Sequence, residues 1–161
     1  MFTRRKNKPM SLKKYQAKRN FSGTPEPRGK KIKIGKNRFV VQKHKASHLH
    51  YDFRLEMDGV LKSWALPKEP PRKSGVKRLA VAVEDHPVDY IDFEGVIPAG
   101  NYGAGTVEIW DKGFYNLLTD KKSELRIKLK GKKLKGDYLL LKPKDSRFGQ
   151  KAWLFFKTKV R

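Results

Sequence analysis

A strict alternation of polar and apolar side chains runs through residues 50–57, which read H-Y-D-F-R-L-E-M. Successive side chains of a β-strand point to opposite faces, so the alternation predicts a strand with two different faces. The polar face would carry His50, Asp52, Arg54 and Glu56, and the apolar face Tyr51, Phe53, Leu55 and Met57. Such a strand requires a core on one side of a sheet.

Short β-type runs separated by turn signals continue through the rest of the chain. The dipeptide Asp58-Gly59 follows the alternating run and favours a tight two-residue hairpin turn. Further strands are predicted at residues 39–44, 60–66, 78–84, 106–110, 124–130, 137–142 and 152–158. Many short strands with little helix predict a mainly β fold, a small closed or nearly closed β-barrel with short helices, and a β-sandwich is the alternative.

The first 38 residues differ in composition from the rest. They hold 14 lysines and arginines against a single acid, Glu26, and show little apolar periodicity. This composition predicts a basic, partly ordered N-terminal arm over residues 1–38, followed by one barrel domain over residues 39–161. Within the arm, residues 11–20 fit a short helix that ends near the Gly- and Pro-containing stretch 21–27. An organelle-targeting peptide is the rival interpretation, although lysine outnumbers arginine there and serine is scarce.

Positive charge dominates the whole chain, because 39 lysines and arginines against 16 acids give a formal net charge of +23. A field of this size favours a polyanionic partner, and nucleic acid is the first candidate. An anionic membrane surface and a merely lysine-rich, heat-adapted surface are the alternatives. In residues 124–130, apolar side chains alternate with Arg126, Lys128 and Lys130, which gives a cationic face that could hold phosphates or simply keep the protein soluble.

The chain contains no cysteine. Disulfides, zinc–thiolate sites and thiol nucleophiles are therefore excluded. The longest apolar runs, such as residues 79–83 and 153–156, are far shorter than a membrane span or a signal-peptide core. These features predict a cytoplasmic protein.

Three of the four histidines cluster within residues 42–56. On one strand face, His50 and Asp52 are separated by about 6.6 Å along the backbone, close enough to bind one small ion from the same side. His44 can supply a third ligand if residues 39–44 form the neighbouring strand, and His48 is then a spare imidazole. Two imidazoles and a carboxylate suit a borderline divalent cation and leave coordination positions open. The alternative is that these histidines are solvated side chains on a wet strand face.

The fourth histidine, His86, follows the apolar run 79–83, and Tyr90 comes four residues later. A histidine at the end of a strand can protonate a leaving oxygen or bind phosphate. It can also be a simple turn residue, since Pro87 follows it directly.

A glycine-containing stretch, I-P-A-G-N-Y-G-A-G-T, covers residues 97–106. No Gly-Lys-Ser/Thr follows it, and the next predicted element is a strand rather than a helix, so a phosphate-binding loop is not indicated. Gly100, Gly103 and Gly105 instead predict a tight turn with positive φ angles.

Four long runs are the most distinctive motifs: RFVVQKHKASHLHYDFRLEMDGVLKSWALPK, RLAVAVEDHP, DFEGVIP and NYGAGTVEIWD. Together they strongly resemble the 3′-phosphoesterase domain of bacterial DNA ligase D. The resemblance covers nearly the whole chain, and residues 15–27 also look like the leader of that domain. Because 161 residues leave no room for ligase or polymerase domains, it implies a free-standing version, as is found in archaea and some bacteria.

The resemblance implies a metal-dependent enzyme that heals DNA 3′ ends. A phosphodiesterase step would remove a terminal ribonucleoside, and a phosphomonoesterase step would remove the remaining 3′-phosphate to leave a hydroxyl for repair synthesis or ligation. Manganese is the implied cofactor, although other divalent transition metals fit the ligand set. DNA primer-templates or RNA/DNA 3′ ends are the implied substrates, and a DNA ligase and a polymerase of end joining are the implied partners.

Matching the family's motifs also assigns roles to individual residues. Catalytic roles would fall on His44, His50, Asp52, Arg54, His86 and Tyr90, of which the first three hold the metal, and substrate-binding roles on Gln42, Lys68, Arg78 and Glu26. Glu26 matches a position implicated in ribonucleoside removal, whereas Asn20 stands where the family has an acid. Whether attack uses metal-activated water or a phospho-histidine stays open.

Two other functions stay open as well. Two histidines and a carboxylate in a β-barrel also fit a non-haem iron oxygenase, although Arg54 on the metal face and the charge of +23 argue against it. A non-catalytic nucleic-acid-binding module would show salt-sensitive binding and leave the oligonucleotide unchanged.

Overall fold

Nine β-strands make up most of the described part of the chain, which covers residues 12–29, 36–145 and 147–159 of a computed structural model. One α-helix and one 3₁₀ helix accompany the strands within these ranges. The elements are α1 (Leu12–Ala17), β1 (Arg38–Lys45), β2 (Leu49–Met57), β3 (Val60–Leu66), β4 (Lys77–His86), the 3₁₀ helix (Val88–Asp92), β5 (Gly95–Ile97), β6 (Gly105–Lys121), β7 (Glu124–Lys130), β8 (Lys135–Leu141) and β9 (Ala152–Lys157).

The strands form a single antiparallel sheet that closes on itself. Its order is β1-β2-β3-β4-β9-β8-β7-β6-β5, and β1 also pairs with β6, so eight strands close a barrel and β5 extends β6 outside it. Closure removes the exposed edges of the eight barrel strands. The predicted mainly β barrel is confirmed, and the sandwich alternative is wrong.

The two faces of β2 follow the predicted alternation. Tyr51, Phe53, Leu55 and Met57 lie in the main hydrophobic core inside the barrel. The opposite, polar face is on the outside of the barrel, yet Asp52, Arg54 and Glu56 on it are also buried. A second apolar cluster covers the part of this face around Arg54, since it joins Tyr15 of α1 and Tyr90 of the 3₁₀ helix to the outer surface of the barrel. The candidate site therefore lies between the barrel wall and these covering segments.

Turn chemistry sets the register of the hairpin formed by β2 and β3. Asp58 and Gly59 have φ angles of 55° and 81°, and Met57 pairs with Val60 across the turn. Two consecutive positive φ values define the tight hairpin turn that Asp-Gly favours, so this prediction is confirmed.

The strand predicted at 106–110 is wrong in length, because β6 extends to Lys121. A bulge opposite the Val41/Gln42 step interrupts its alternation. Beyond the bulge, Asp111 is buried, and its carboxylate accepts backbone N–H groups of Lys132, Lys133 and Leu134. Because this buried residue is charged, it breaks the apolar alternation, and periodicity alone did not predict that the strand continues beyond residue 110.

Other boundaries differ less. The helix predicted at residues 11–20 begins at Leu12 among the described residues and ends at Ala17, and Ser11 lies outside those residues. The three-residue strand β5 has no predicted counterpart. In the described part of the chain, no helix combines the length and the apolar character needed to cross a bilayer.

Candidate active site

Three potential ligand atoms converge near the turn that joins β1 to β2. His44 and His50 are direct partners in the antiparallel register, and Asp52 follows on the same face. His44 Nδ1 lies 3.2 Å from His50 Nε2, and Asp52 Oδ2 lies 3.2 Å from His50 Nε2 and 3.6 Å from His44 Nδ1. Ligand bonds of about 2.1 Å at tetrahedral angles separate donor atoms by about 3.4 Å. The three side chains therefore fit a single metal ion, and they are a group that can hold one.

The other nitrogen of each imidazole is already hydrogen-bonded. His44 Nε2 lies 2.6 Å from the carbonyl oxygen of Gly103, and His50 Nδ1 lies 3.0 Å from the carbonyl oxygen of His48. A ring nitrogen that donates its proton to a carbonyl leaves the lone pair on the opposite nitrogen. Both tautomers thus direct a lone pair to the point where Asp52 Oδ2 lies. The imidazole of His48 takes no part, but its backbone carbonyl orients His50.

The electrostatics of the triad favour an ionised carboxylate. In the metal-free protein, burial opposes ionisation of Asp52, but the positive charge of Arg54 and hydrogen bonds that Asp52 accepts when His44 and His50 carry a proton on the nitrogen facing it outweigh this effect, so the pKa of Asp52 lies well below the usual range. The hydrogen bond that protonated His50 donates to Asp52 raises the pKa of His50 against the opposing effect of burial. A cation and a proton therefore compete for the lone pair of His50.

Arg54 lies two residues beyond Asp52 on the same strand face and is almost fully buried. Its Nε donates to Gln42 Oε1 at 2.7 Å, and Gln42 Nε2 donates in turn to the carbonyl oxygens of Tyr90 and Phe93. The guanidinium also lies over the ring of Tyr90, 4.9 Å from its centroid. Gln42 thus fixes the position of the Arg54 guanidinium, while Nη1 of Arg54 is buried without a hydrogen-bond partner. An unpaired buried donor of this kind is costly unless a ligand satisfies it.

His86 ends β4 and packs between two aromatic rings, with centroid distances of 4.8 Å to both Tyr15 and Tyr90. Its Nδ1 is 3.0 Å from the carbonyl oxygen of Glu84, which leaves Nε2 as the nitrogen with a lone pair. Burial, assisted by the charges of Arg54 and Arg19, holds the pKa of His86 well below its ordinary value. The imidazole is therefore neutral at neutral pH in the ligand-free protein.

The segment that follows α1 contributes a buried carboxylate to the same region. Glu26 Oε2 accepts a hydrogen bond of 2.6 Å from the Tyr90 hydroxyl and one of 3.0 Å from Arg19 Nε, while Oε1 accepts from Thr24. Arg19 also stacks on the ring of Tyr15, 4.0 Å from its centroid. Glu26 thus joins the segment that follows α1 to the 3₁₀ helix on the outer surface of the barrel.

A cavity of about 360 Å³ unites these groups. It is lined by Arg19, Glu26, His44, Ala46, His50, Asp52, Arg54, Ala65, Val83, Glu84, His86, Tyr90, Ile97, Tyr102 and Gly103. Of the ten candidate site residues, seven line this cavity, and Gln42 supports it from behind through Arg54. Lys68 and Arg78 are not in the lining. Lys68 is exposed, and Arg78 Nε donates to the carbonyl oxygen of Glu69.

Several lining residues were not predicted from the sequence. Glu84 forms ion pairs with both Lys18 and Arg19. Tyr102 is half-exposed, and the ammonium group of Lys18 lies over its ring. Neither periodicity nor spacing marks these positions, because Lys18 and Arg19 follow α1, Tyr102 lies in a turn and Glu84 lies near the end of β4, so they meet only in the folded chain. Asn20 does not line the cavity, since its Oδ1 accepts hydrogen bonds from the backbone N–H and the hydroxyl of Ser22.

The glycine stretch contributes Ile97, Tyr102 and Gly103 to the lining of the cavity. Gly100, Gly103 and Gly105 have φ angles of 91°, 75° and 140°, so the predicted turn with positive φ is confirmed. A Cβ on Gly105 would overlap the carbonyl oxygen of Lys45, which follows His44 directly. The glycines therefore allow the loop to lie close against the metal-ligating strand.

Comparison with known proteins shows the family to which the chain belongs. Residues 42–142 match the family described as the DNA ligase D 3′-phosphoesterase domain. The chain belongs to this family. The matched residues of this phosphoesterase-domain member include the complete His44, His50 and Asp52 triad as well as Arg54 and His86. The relationship that the sequence motifs indicated is thereby confirmed.

Curated relatives extend the similarity of this phosphoesterase-domain chain beyond the matched region. It is 51% identical over 156 residues to the multifunctional non-homologous end joining protein LigD of Pseudomonas aeruginosa, covering 92% of this chain and 18% of the relative. It is 45% identical over 145 residues to the LigD protein of Mycobacterium tuberculosis, covering 85% of this chain and 19% of the relative. It is 44% identical over 161 residues to the LigD protein of Mycolicibacterium smegmatis, covering 92% of this chain and 20% of the relative. The chain thus spans about one fifth of the length of these relatives.

Proposed function

We propose that the protein is a manganese-dependent 3′-phosphoesterase that acts on DNA or mixed RNA/DNA ends. It would remove a 3′-terminal ribonucleoside and then the remaining 3′-phosphate, leaving a 3′-hydroxyl. One observation carries this proposal. The group that can hold a metal ion lines the same cavity as Arg54, whose buried Nη1 has no hydrogen-bond partner.

Arg54 is suited to hold a phosphoryl group in that cavity. Guanidinium groups bind phosphate oxygens through two parallel N–H donors and stay charged at all relevant pH values. Gln42 holds Nε at 2.7 Å, and Nη2 lies 3.5 Å from Asp52 Oδ2, so the outer nitrogens keep one orientation. A preorganised donor costs little reorganisation when charge develops on the phosphate in the transition state.

His44, His50 and Asp52 would hold the divalent cation. When bound there, the cation supplies Lewis-acid polarisation of a phosphate oxygen and lowers the pKa of water. The mixed nitrogen and oxygen donor set suits a borderline transition metal, which agrees with manganese but does not single it out. His44 and His50 keep the required lone pairs because Gly103 and the backbone of His48 accept their other N–H groups.

His86 is suited to stabilise charge or to move a proton at its Nε2. It is neutral without ligand, but a phosphate dianion in the cavity would favour its protonated form. Its Nδ1 stays bonded to the Glu84 carbonyl, so a proton gained at Nε2 points away from β4. Tyr90 supports both groups, because its ring contacts Arg54 and His86 and its hydroxyl is held by Glu26.

The polyanionic substrate is supported by the net charge of +23 and by the names of the relatives, which are non-homologous end joining proteins. DNA ends with a 3′-ribonucleotide or 3′-phosphate are therefore the proposed substrates. A DNA ligase and a polymerase of end joining, which would use the 3′-hydroxyl product, are the proposed partners. The cytoplasm is the proposed location.

The decisive experiment uses labelled primer-templates that end in a ribonucleotide or in a 3′-phosphate, with manganese or with a chelator. Wild-type protein should convert both to a 3′-hydroxyl only with the metal, and His50→Ala and Asp52→Ala should abolish conversion. His48→Ala is the matched control, because that exposed imidazole neighbours the site without entering it. Wild-type rates in either ligand variant would overturn the proposal.

The same assay separates the alternatives. A non-catalytic binding module would retain the oligonucleotide in a salt-sensitive complex and leave its 3′ end unchanged. An iron oxygenase would consume oxygen with Fe(II) and a 2-oxo acid and would not release phosphate.

A further inference from the structure

The cationic face of β7 lies outside the proposed active site. Leu125, Ile127 and Leu129 point into the barrel core, so the residues between them point outward. Outward-facing side chains of β6 and β7 form a continuous surface, here called the β6–β7 face, which consists of Lys112, Phe114, Asn116, Arg126, Lys128 and Lys130. None of these residues lines the active-site cavity.

The arrangement of charge on this face is linear. Lys128 and Lys130 are exposed, and alternate residues of a strand are about 6.6 Å apart, so the cations follow the direction of β7. The β6–β7 face carries four cations and no carboxylate. Acids lie at its borders: Glu124 faces outward beside Arg126 on β7, Asp137 pairs in register with Lys128, and Asp92 lies 3.7 Å from Lys112 in an exposed contact. A line of cations fits an extended polyanion better than a compact anion.

Exposed apolar side chains interrupt the cations. Phe114 is 54% exposed and Leu118 is 41% exposed on β6. The register places Phe114 between Arg38 of β1 and Lys130 of β7. A face that served solubility alone would gain nothing from an exposed aromatic ring. An aromatic ring flanked by cations is instead the arrangement with which proteins bind single strands, by stacking bases and contacting the backbone.

We propose that the β6–β7 face binds single-stranded nucleic acid without sequence preference, with Phe114 stacking a base and Lys128 and Lys130 contacting phosphates. Phe114 is well separated from the metal ligands, because it pairs with Arg38 and the six-residue step along β1 from Arg38 to His44 spans about 20 Å. Binding here would hold the unpaired strand near a damaged end while the 3′ end is processed elsewhere. The inference goes beyond the proposed activity and needs no metal.

The test measures binding of the full chain to fluorescent oligothymidylate and oligouridylate of about 12 nucleotides, in chelator, by anisotropy over a range of salt concentrations. The double variant Lys128→Gln/Lys130→Gln should bind both at least about tenfold more weakly at low salt. Its slope of log affinity against log salt should fall by about 1.4, since each lost phosphate contact removes about 0.7. The double variant Lys144→Gln/Lys151→Gln removes the same charge from exposed sites elsewhere and should keep the wild-type slope.

The ring is tested separately. Phe114→Leu should weaken binding by about fivefold or more, whereas Phe114→Tyr should bind like the wild type, because only the tyrosine keeps a stacking surface. Thermal melting checks that each variant is folded. Equal losses in both lysine pairs would show that only the overall charge matters and would overturn the proposal, as would unchanged affinity in Phe114→Leu. A response by only one oligonucleotide would assign the face to DNA or to RNA.

Discussion

Arg54 Nη2 lies 3.5 Å from Asp52 Oδ2, and both side chains extend from the outer face of β2. The same carboxylate oxygen also lies 3.2 Å from His50 Nε2. One atom of Asp52 is thus shared between the group that can hold a metal and the group suited to hold phosphate. This sharing couples the two halves of the candidate site, and the variants below are designed to separate them.

Asp52→Asn should reduce manganese affinity by more than the roughly 10- to 100-fold that loss of an outer-shell partner costs, because it removes the only charged ligand. Isothermal titration or electron paramagnetic resonance of manganese measures this loss directly. His48→Ala should bind manganese like the wild type, and circular dichroism should show a folded barrel for both. Wild-type affinity in Asp52→Asn would exclude this triad as the metal site.

Arg54→Lys should lower kcat for 3′-phosphate removal by about 100- to 1,000-fold and leave manganese affinity nearly unchanged. Lysine keeps the positive charge beside Asp52, but it offers neither the fork nor the Nε–H that Gln42 Oε1 accepts. Steady-state kinetics and a manganese titration on the same preparation check both parts. A kcat within a few-fold of the wild type would mean that the guanidinium does not contact the reacting phosphate.

The stability of the metal-free protein should fall as the pH decreases from about 7.5 to about 5 through the effect of His86. Burial holds the pKa of His86 in the folded protein well below the ordinary value of 6.5, so below that value the unfolded chain binds a proton that the folded protein does not. Stability then rises with pH. His50 acts in the opposite direction, since its raised pKa stabilises the folded protein below 6.5.

Comparison of two proteins isolates the contribution of His86. Urea unfolding of the wild type and of His86→Asn, both in chelator, gives the free energy of unfolding at each pH. The variant should lose less stability in acid than the wild type. An equal loss in both would show that other groups determine the acid sensitivity.

Glu26→Gln should reduce ribonucleoside removal by about tenfold or more while phosphate removal changes by less than about threefold. Glu26 accepts hydrogen bonds from both Arg19 and Tyr90. Its neutralisation weakens these two contacts and so loosens this side of the cavity. The substrate of ribonucleoside removal carries a nucleoside beyond the phosphate, so it contacts this side of the cavity more extensively than a terminal 3′-phosphate does. The two rates are measured on matched primer-templates, and an equal fall in both would contradict the assignment.

Gly103→Ala should weaken manganese binding through His44. Gly103 has a φ of 75°, and a Cβ there would lie 3.3 Å from His44 Cε1, so the substitution both strains the backbone and presses on the ligand. Gly100→Ala is the matched control, because its φ is 91° and a Cβ there meets nothing within 4 Å. Both variants should melt at lower temperature, but only Gly103→Ala should lose manganese affinity.

The alternation in residues 50–57 was sufficient to predict both faces of β2 and the shared face of His50 and Asp52, since strand geometry relates sequence spacing directly to position. The approach of His44 depended in addition on the neighbouring strand predicted at residues 39–44. The burial of the polar face was not predictable in the same way. It depends on Tyr15 and Glu26 from one distant segment and on Tyr90 from another, and contacts between remote segments leave no periodic signal. Arg19 and Tyr102 escaped detection for the same reason.

The length of β6 illustrates a second limit. Its alternation breaks where Asp111 occupies an inward position, and that carboxylate is satisfied only by a turn about 20 residues away in the chain. A local pattern cannot distinguish such a residue from a solvated one. The two-residue turn at Asp58-Gly59 was predictable because its chemistry is entirely local.

The direct pairing of His44 with His50 has a consequence for folding. A slip of one residue between β1 and β2 would turn one imidazole toward the barrel interior, and no cation could then bind both. An ion captured by the first hairpin would consequently select the native alignment before β1 meets β6, whose pairing closes the barrel across a much longer loop. The metal would then set the register of β1 and β2 during folding in addition to its role as a cofactor.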